Sequence, residues 1–412
     1  MFLSLSIIFL AGVLISVLFP KIRIPALIGF LLLGIGMKSL NLMDDSLLQI
    51  SSDVRNIALV IILLKAGLSL NFRDLKKVGR PAILLCFIPA TFEIIAFSIF
   101  GPLFMGLTIV QSIIIGSVLG AVSPAVVVVR MTKLIDSNIG KERSIPQMII
   151  AGSSADDVYC IVIFTALVNM LSHGGDFNPT TLIKIPTSLI FGVAAGILLG
   201  FGCSYLFKKI HIRDTYKIII LIGLSVLLLF VENILDSTPV SLSSFLGVMA
   251  MGIVVLAKRP VAAHRLTSKF DKIWVFSEMF LFVFVGTSVE LKTIGTAGPL
   301  VIAGLFFAMA FRLLSTFLCL IKTKLTFKER LFVAISEIPK ATVQAAIGGT
   351  LVGMQGLDPT LIPYANLVLT ISVLSILIFA PIGAILMDTT YKALLVPKNK
   401  DVGIAPPTAP AQ

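Results

Sequence analysis

Apolar residues run along the chain in stretches of 16 to 27, parted by short segments that carry charge, proline or glycine. A helix rises 1.5 Å per residue, so roughly 20 apolar residues cross the hydrocarbon of a bilayer. Read this way, the pattern predicts thirteen helical spans. They are 2–19, 25–40, 54–70, 81–100, 106–130, 147–171, 184–207, 216–235, 240–257, 272–290, 296–321, 328–354 and 362–387. No connector is long enough for a folded domain of its own, and the Pro- and Ala-rich residues 389–412 read as a disordered tail. The expected class is an all-α polytopic membrane protein.

Composition agrees with the pattern. Of the 412 residues, 57% are hydrophobic and only 13% charged, about half the charge of a soluble domain, too little to coat two or three soluble domains with polar surface. The formal net charge of +12 is therefore read against lipid, not nucleic acid. At the connectors after the odd-numbered spans and in the tail lie 26 Lys and Arg, against Lys38, Arg55, Lys184 and Lys292 on the opposite side. Basic residues favour the cytoplasmic side. The bias predicts a start outside, a cytoplasmic tail and an excess of positive charge facing anionic lipid. Met1–Phe19 has no basic residue before it and no A-x-A cleavage site, so it reads as a retained first helix.

Cys86, Cys160, Cys203 and Cys319 sit inside apolar runs with no CxxC neighbour, which argues against disulfide or metal chemistry. No cofactor is expected. His173, His211 and His264 read as ordinary residues of polar connectors.

The remaining basic residues, Lys65, Arg312 and Lys340, lie within predicted spans, as do Glu93, Asp156, Asp157, Glu278 and Glu337. A charge at bilayer depth costs on the order of 2.5–3.5 kcal/mol on insertion scales, so such residues must pair or line water. The sharpest feature is Ser153-Ser154-Ala155-Asp156-Asp157 in span 6. Adjacent helical residues point about 100° apart, so one carboxylate can face an ion path while the other meets a partner. Ser153 lies four residues before Asp157, on the same face, and adds a hydroxyl. Oxygen ligands in a confined site suit a small hard cation, and a proton competes for the same oxygen. The alternative is a structural ion pair.

Spans 5 and 12 are each interrupted near mid-membrane, at Ser123-Pro124 and at Pro339-Lys340. Proline removes a backbone hydrogen bond and disfavours helix before it, and freed backbone at that depth survives only where it is buried or lines a cavity. The two spans are seven apart and so cross in opposite directions. Spans 4–6 and 11–13 thus read as inverted-topology repeats, and paired broken helices point to a midplane transport site. Lys340 sits where it can offset the negative helix ends, or else pair with Glu337. Glu93 in span 4 and Arg312 in span 11 are counterparts in the repeat, and a Glu93–Arg312 salt bridge is the preferred reading, with Asp156 the competing partner of Arg312. Gly192, Gly196 and Gly200 make a flat stripe for helix packing. Lys65 is placed to snorkel, and Glu278 to reach water near the cytoplasmic end of span 10.

These motifs resemble the monovalent cation/proton antiporter superfamily. The resemblance rests on the Asp-Asp pair, the Ser-Pro break, Pro-Lys-Ala-Thr-Val-Gln-Ala-Ala from Pro339, Lys-Ala-Gly-Leu-Ser-Leu from Lys65 and Arg-Leu-Leu-Ser-Thr-Phe from Arg312. It extends to about residue 390 and is nearest the NHA-type sodium/proton antiporters. It implies crossed spans 5 and 12 and a core of spans 4–6 (81–171) and 11–13 (293–390). It further implies a dimerising scaffold of residues 1–80 and 208–292, a linking span in 172–207, a tail from 391, a homodimer and elevator-like alternating access. By the same likeness Asp157 is the exchanging carboxylate, Asp156 its neighbour and Ser153 an ion ligand. Many electrogenic relatives have Lys where this chain has Arg312, which leaves the stoichiometry open. The short tail suggests a bacterial inner-membrane member.

The leading expectation is exchange of Na⁺ or Li⁺ for H⁺, with K⁺/H⁺ exchange and a passive channel as alternatives. An intramembrane aspartyl protease needs two carboxylates facing one water, and adjacent helical positions diverge.

Overall fold

The computed structural model describes residues 1–22, 24–69, 79–172, 179–210, 212–235, 242–289, 291–353 and 358–396. Among them every regular element is helical. Helices α1 (Phe2–Leu18), α2 (Ala26–Ser39), the short α3 (Asp45–Gln49) and α4 (Ser51–Ser69) come first. Then follow α5 (Arg80–Leu85), α6 (Ile88–Phe100), α7 (Ile109–Leu119), α8 (Pro124–Asp136) and α9 (Ile145–Ser172). Next are α10 (Pro179–Lys209), α11 (Asp214–Leu235), α12 (Ser244–Lys258) and α13 (Pro260–Ser288). The chain closes with α14 (Leu291–Cys319), α15 (Phe327–Ser336), α16 (Thr342–Gly348) and α17 (Ile362–Leu395). Among the described residues, seven helical units are long and apolar enough to cross a membrane by length and composition. This is an integral membrane architecture.

The predicted spans fall on these helices, with local corrections. Span 4 is not continuous: α5 stops at Leu85 and α6 starts at Ile88, with Pro89 in its first turn, where a missing N–H costs nothing. Span 10 is much longer than its apolar part. Pro260 opens α13, so the basic segment that holds His264 is helical instead of a connector, and His264 is exposed on that helix. The tail begins later than expected, because α17 runs to Leu395. His173, His211 and residues 397–412 lie outside the described residues.

Two packing sets organise the molecule. In one, α2 and α4 pack on α13, and α10 and α4 pack on α12. In the other, α6 packs on α7 and α14, α9 on α5, α7 and α8, and α17 on α15 and α16. The sets meet where α9 touches α10, where α16 touches α4 and α13, and where α17 touches α2 and α13. Cap chemistry starts α7 and α15 alike. Thr108 and Gln111, and Thr326 and Glu329, form reciprocal capping boxes that satisfy otherwise orphaned amides.

The glycine stripe of α10 does what its spacing implies. A Cβ at Gly192 or Gly196 would lie 2.3 Å from the Ser243 carbonyl oxygen or 2.1 Å from that of Gly247, so the backbones of α10 and α12 are in direct contact. Gly196→Leu is expected to lower thermal stability in detergent by an amount typical of overpacking, about 1–3 kcal/mol. Gly202→Leu is the control, since nothing lies within 4 Å of its Cβ position. Equal melting temperatures for the two variants would rule out this close contact.

Candidate functional site

The site is built on two breaks. Between α7 and α8 the chain leaves the helix over Gly120–Ser123, and Pro124 restarts it. Between α15 and α16 it leaves over Glu337–Ala341, and Thr342 restarts it. One backbone bond ties the breaks together: the Ser123 amide donates to the Pro339 carbonyl at 2.9 Å.

Proline and glycine free the carbonyls at the end of α7, and buried carbonyls need partners. Side chains supply them. Lys340 Nζ donates to Leu119 O at 2.5 Å, Arg312 donates to Gly120 O, and Gln344 Nε2 donates to Ala121 O at 2.7 Å. Arg312 Nε also donates to the Glu337 carbonyl at 3.0 Å. Two cations and an amide therefore take the place of helix hydrogen bonds, as the negative end of a half-helix favours.

The same cations gather the acids. Arg312 lies 2.9 Å from Glu93 Oε2, 3.1 Å from Asp156 Oδ2 and 2.7 Å from Glu337 Oε2. Lys340 lies 2.7 Å from Glu93 Oε2. All of these side chains are at most 2% exposed. The two partners considered for Arg312 are thus not exclusive, since it holds Glu93 and Asp156 together and Glu337 besides. Lys340 caps the Leu119 carbonyl and reaches Glu93, while Glu337 goes to Arg312, so the alternative Lys340–Glu337 pairing is not formed. The reason is reach. Lys340 lies within the break, so the helical i, i+3 spacing that would pair it with Glu337 does not exist.

Asp157 stands apart from this network. Asp156 faces inward, with Oδ2 accepting from the Val122 amide at 3.0 Å and from Arg312. Asp157 lines a small cavity with Leu59, Leu63 and Ala66 of α4, Met249 of α12 and Val343 of α16, so the two carboxylates diverge as the helix geometry requires. Ser153 is buried one turn earlier, and its hydroxyl donates to the Ile150 carbonyl at 3.3 Å. Five buried oxygens of this region have no hydrogen-bond partner among the described residues: Ser123 Oγ, Asp156 Oδ1, Asp157 Oδ1, Glu337 Oε1 and Thr342 Oγ1. Buried polar atoms are normally satisfied. Bare oxygens, two of them on the Asp pair, suit a hard monovalent cation or a proton.

A second, larger cavity of about 440 Å³ runs beside Ala125 and Val126, just past the first break. Arg130, Lys133, Glu278 and Asp388 line it, together with Pro20 and residues 24–27. Arg130 grips Asp388 with Nε and Nη2, each at 3.0 Å. Glu278 therefore faces this cavity from within a long helix, where a position near a helix end was expected. Lys65 pairs with Asp271 at 2.7 Å.

The structure brings Ser123, Pro339, Lys340, Glu93, Arg312 and Asp156 into one contact network, with Pro124 next to Ser123 in the chain, and places Asp157 next to Asp156 beside it. Two participants were missed. Glu337 was visible as an intramembrane acid, but its only suggested partner was Lys340, as an alternative, and Arg312 was not considered for it. Gln344 stood inside a quoted motif, and its signal was a large polar amide within an apolar run.

The transmembrane sodium/hydrogen exchanger family model matches residues 5–385. The chain is 32% identical to human sodium/hydrogen exchanger 9B1 over 93% of its own length and 76% of that protein. It is 33% identical to exchanger 9B2 of Xenopus tropicalis, over 94% and 72%. In fold it is similar to the sodium proton antiporter MjNhaP1 from Methanocaldococcus jannaschii, with a TM-score of 0.78, 21% identity, and coverage of 95% and 97% of the two chains.

Proposed function

The chain belongs to the transmembrane sodium/hydrogen exchanger family, and on that premise we propose that it exchanges Na⁺ or Li⁺ for H⁺ at Asp157 by alternating access. Family membership makes it a cation/proton antiporter. The observation that carries the finer reading is Asp157 itself, a buried carboxylate with a bare oxygen, set beside a break-to-break junction whose own charges are already paired.

The residues divide the work. Asp157 binds either the cation or the proton, and Ser153 and the free oxygen of Asp156 complete the ion's shell. Arg312 does not deprotonate in proteins. It holds Glu93, Asp156 and Glu337 fixed and carries no proton across. Lys340 and Gln344 take up the carbonyls that the break exposes. The cavity beside Arg130 and Glu278 is the cytoplasmic approach.

The same proposal covers the architecture. Thirteen crossings with an outside start and a cytoplasmic tail follow the basic-residue bias. Spans 4–6 and 11–13 form the core, with the crossed broken spans 5 and 12 at its centre, and the remaining helices form a scaffold. The two packing sets and the bond between Ser123 and Pro339 support that division. Elevator-like movement of the core, a homodimer joined through the scaffold, anionic lipid at the cytoplasmic face and residence in a bacterial plasma membrane complete the reading.

The test is purified protein in proteoliposomes, with internal pH followed while Na⁺, Li⁺ and K⁺ are added in turn. Proton flux driven by Na⁺ or Li⁺ and not by K⁺ is expected. Flux with K⁺ alone would replace the cation. Cation flux that does not move protons would replace antiport with a channel.

A further inference from the structure

Resting on the antiport reading, we propose that Gln344 is a positioning residue for the cation site, acting on Asp156 through the single peptide group between Ala121 and Val122. That peptide is held at both ends. Its carbonyl, on Ala121, accepts from Gln344 Nε2 at 2.7 Å, and its N–H, on Val122, donates to Asp156 Oδ2 at 3.0 Å. Gln344 is fully buried, and its own orientation is fixed by a third bond. Its Oε1 accepts from the Ala341 amide at 2.8 Å. Turning the side-chain amide over would set donor against donor at Ala341 and acceptor against acceptor at Ala121, so the network admits one arrangement.

The consequence is a relay of orientation without a mobile proton. The Ala341 amide aims Gln344, Gln344 aims the 121–122 peptide, and that peptide takes Oδ2 of Asp156 together with Arg312. Only Oδ1 of Asp156 is left without a partner, on the carboxylate next to Asp157. Hydrogen bonding along such a chain also polarises the peptide, so its N–H becomes the better donor. The relay joins the two breaks through side chains, as the Ser123–Pro339 bond does through backbone. It ties the aim of Asp156 to the register of α16 against α7.

Two substitutions separate this role from simple capping of α16. Gln344→Met removes both halves of the amide. Gln344→Glu keeps the acceptor for the Ala341 amide and loses the donor to Ala121. If Gln344 only caps α16, the Glu variant behaves like the unmodified protein. If it positions Asp156, both variants raise the apparent KM for Na⁺ by about 10–100-fold, the usual cost of removing a partner that orients a metal ligand. Turnover at saturating Na⁺ stays within about threefold, because uniform binding is what is lost. The added negative charge of Gln344→Glu favours cation and proton alike, so the uncharged Gln344→Met must show the same rise for it to be assigned to positioning.

Thermal stabilisation by added Na⁺ in detergent reads affinity without any transport, and its midpoint should move by the same factor. A midpoint and a KM that both stay within about twofold in Gln344→Glu would overturn the positioning role. Failure of the unmodified protein to move protons in response to Na⁺ or Li⁺ would instead overturn the antiport reading, with the midpoint comparison still deciding the role of Gln344.

Discussion

Asp157→Asn is expected to reduce Na⁺-driven proton flux to that of protein-free vesicles while the protein still inserts and purifies. Asparagine keeps the shape and one carbonyl oxygen, but it neither binds a proton at physiological pH nor offers a charge to a cation. The neighbouring network does not depend on it. Arg312 pairs with Glu93, Asp156 and Glu337, and Asp157 contributes to none of those contacts. Removing its charge therefore leaves every buried ion pair intact, and the melting temperature should hold or rise, since an uncompensated buried carboxylate is costly. Asp157→Glu should retain partial flux at altered apparent affinity, because it keeps the titrating oxygen and moves it by one methylene into a cavity walled by Leu59, Leu63 and Val343. Near-normal flux in the purified Asn variant, with internal pH recorded after a Na⁺ step, would remove Asp157 from the exchange.

The all-helical membrane character was legible because apolar length is a one-dimensional signal. Pro124 and Pro339 announced both breaks, since proline acts on its own backbone. The Asp156–Asp157 divergence was legible for the same kind of reason, a fixed 100° step. What the sequence did not carry was the wiring. Lys340 lies three residues from Glu337, and on an unbroken helix they would meet. The break sends Lys340 to Glu93, 247 residues away, and leaves Glu337 to Arg312. Gln344 was overlooked because its partners, Ala121 and Ala341, are backbone groups of two different breaks, and backbone groups have no sequence signature. The extent of α13 was misjudged because a charged stretch can be helical where one face is buried, as Ala263, Leu266 and Phe270 are here.

Arg312→Ala should be the most destabilising single change in the core, by about 3–5 kcal/mol, the usual cost of breaking a buried ion pair. Its guanidinium serves three carboxylates and two carbonyls at once. The losses are unequal. Glu93 keeps Lys340 at 2.7 Å, and Asp156 keeps the Val122 amide. Glu337 loses its charged partner outright. The order of coupling to Arg312 should therefore be Glu337 first, then Asp156, then Glu93. Double-mutant cycles of Arg312→Ala with Glu337→Gln, Asp156→Asn and Glu93→Gln, read as thermal or denaturant stability in detergent, measure these terms directly. In each cycle the double variant should be less damaged than the sum of the singles, because neutralising the acid removes the uncompensated charge that the Ala variant leaves behind. The Glu93 cycle has a further consequence: Glu93→Gln leaves Lys340 buried without its carboxylate, so this single should be costlier than Asp156→Asn. Coupling below about 0.5 kcal/mol in all three cycles, the level expected of independent sites, would mean that Arg312 does not sit at the centre of this network, and the packing of α14 against α6 and the two breaks would have to be redrawn.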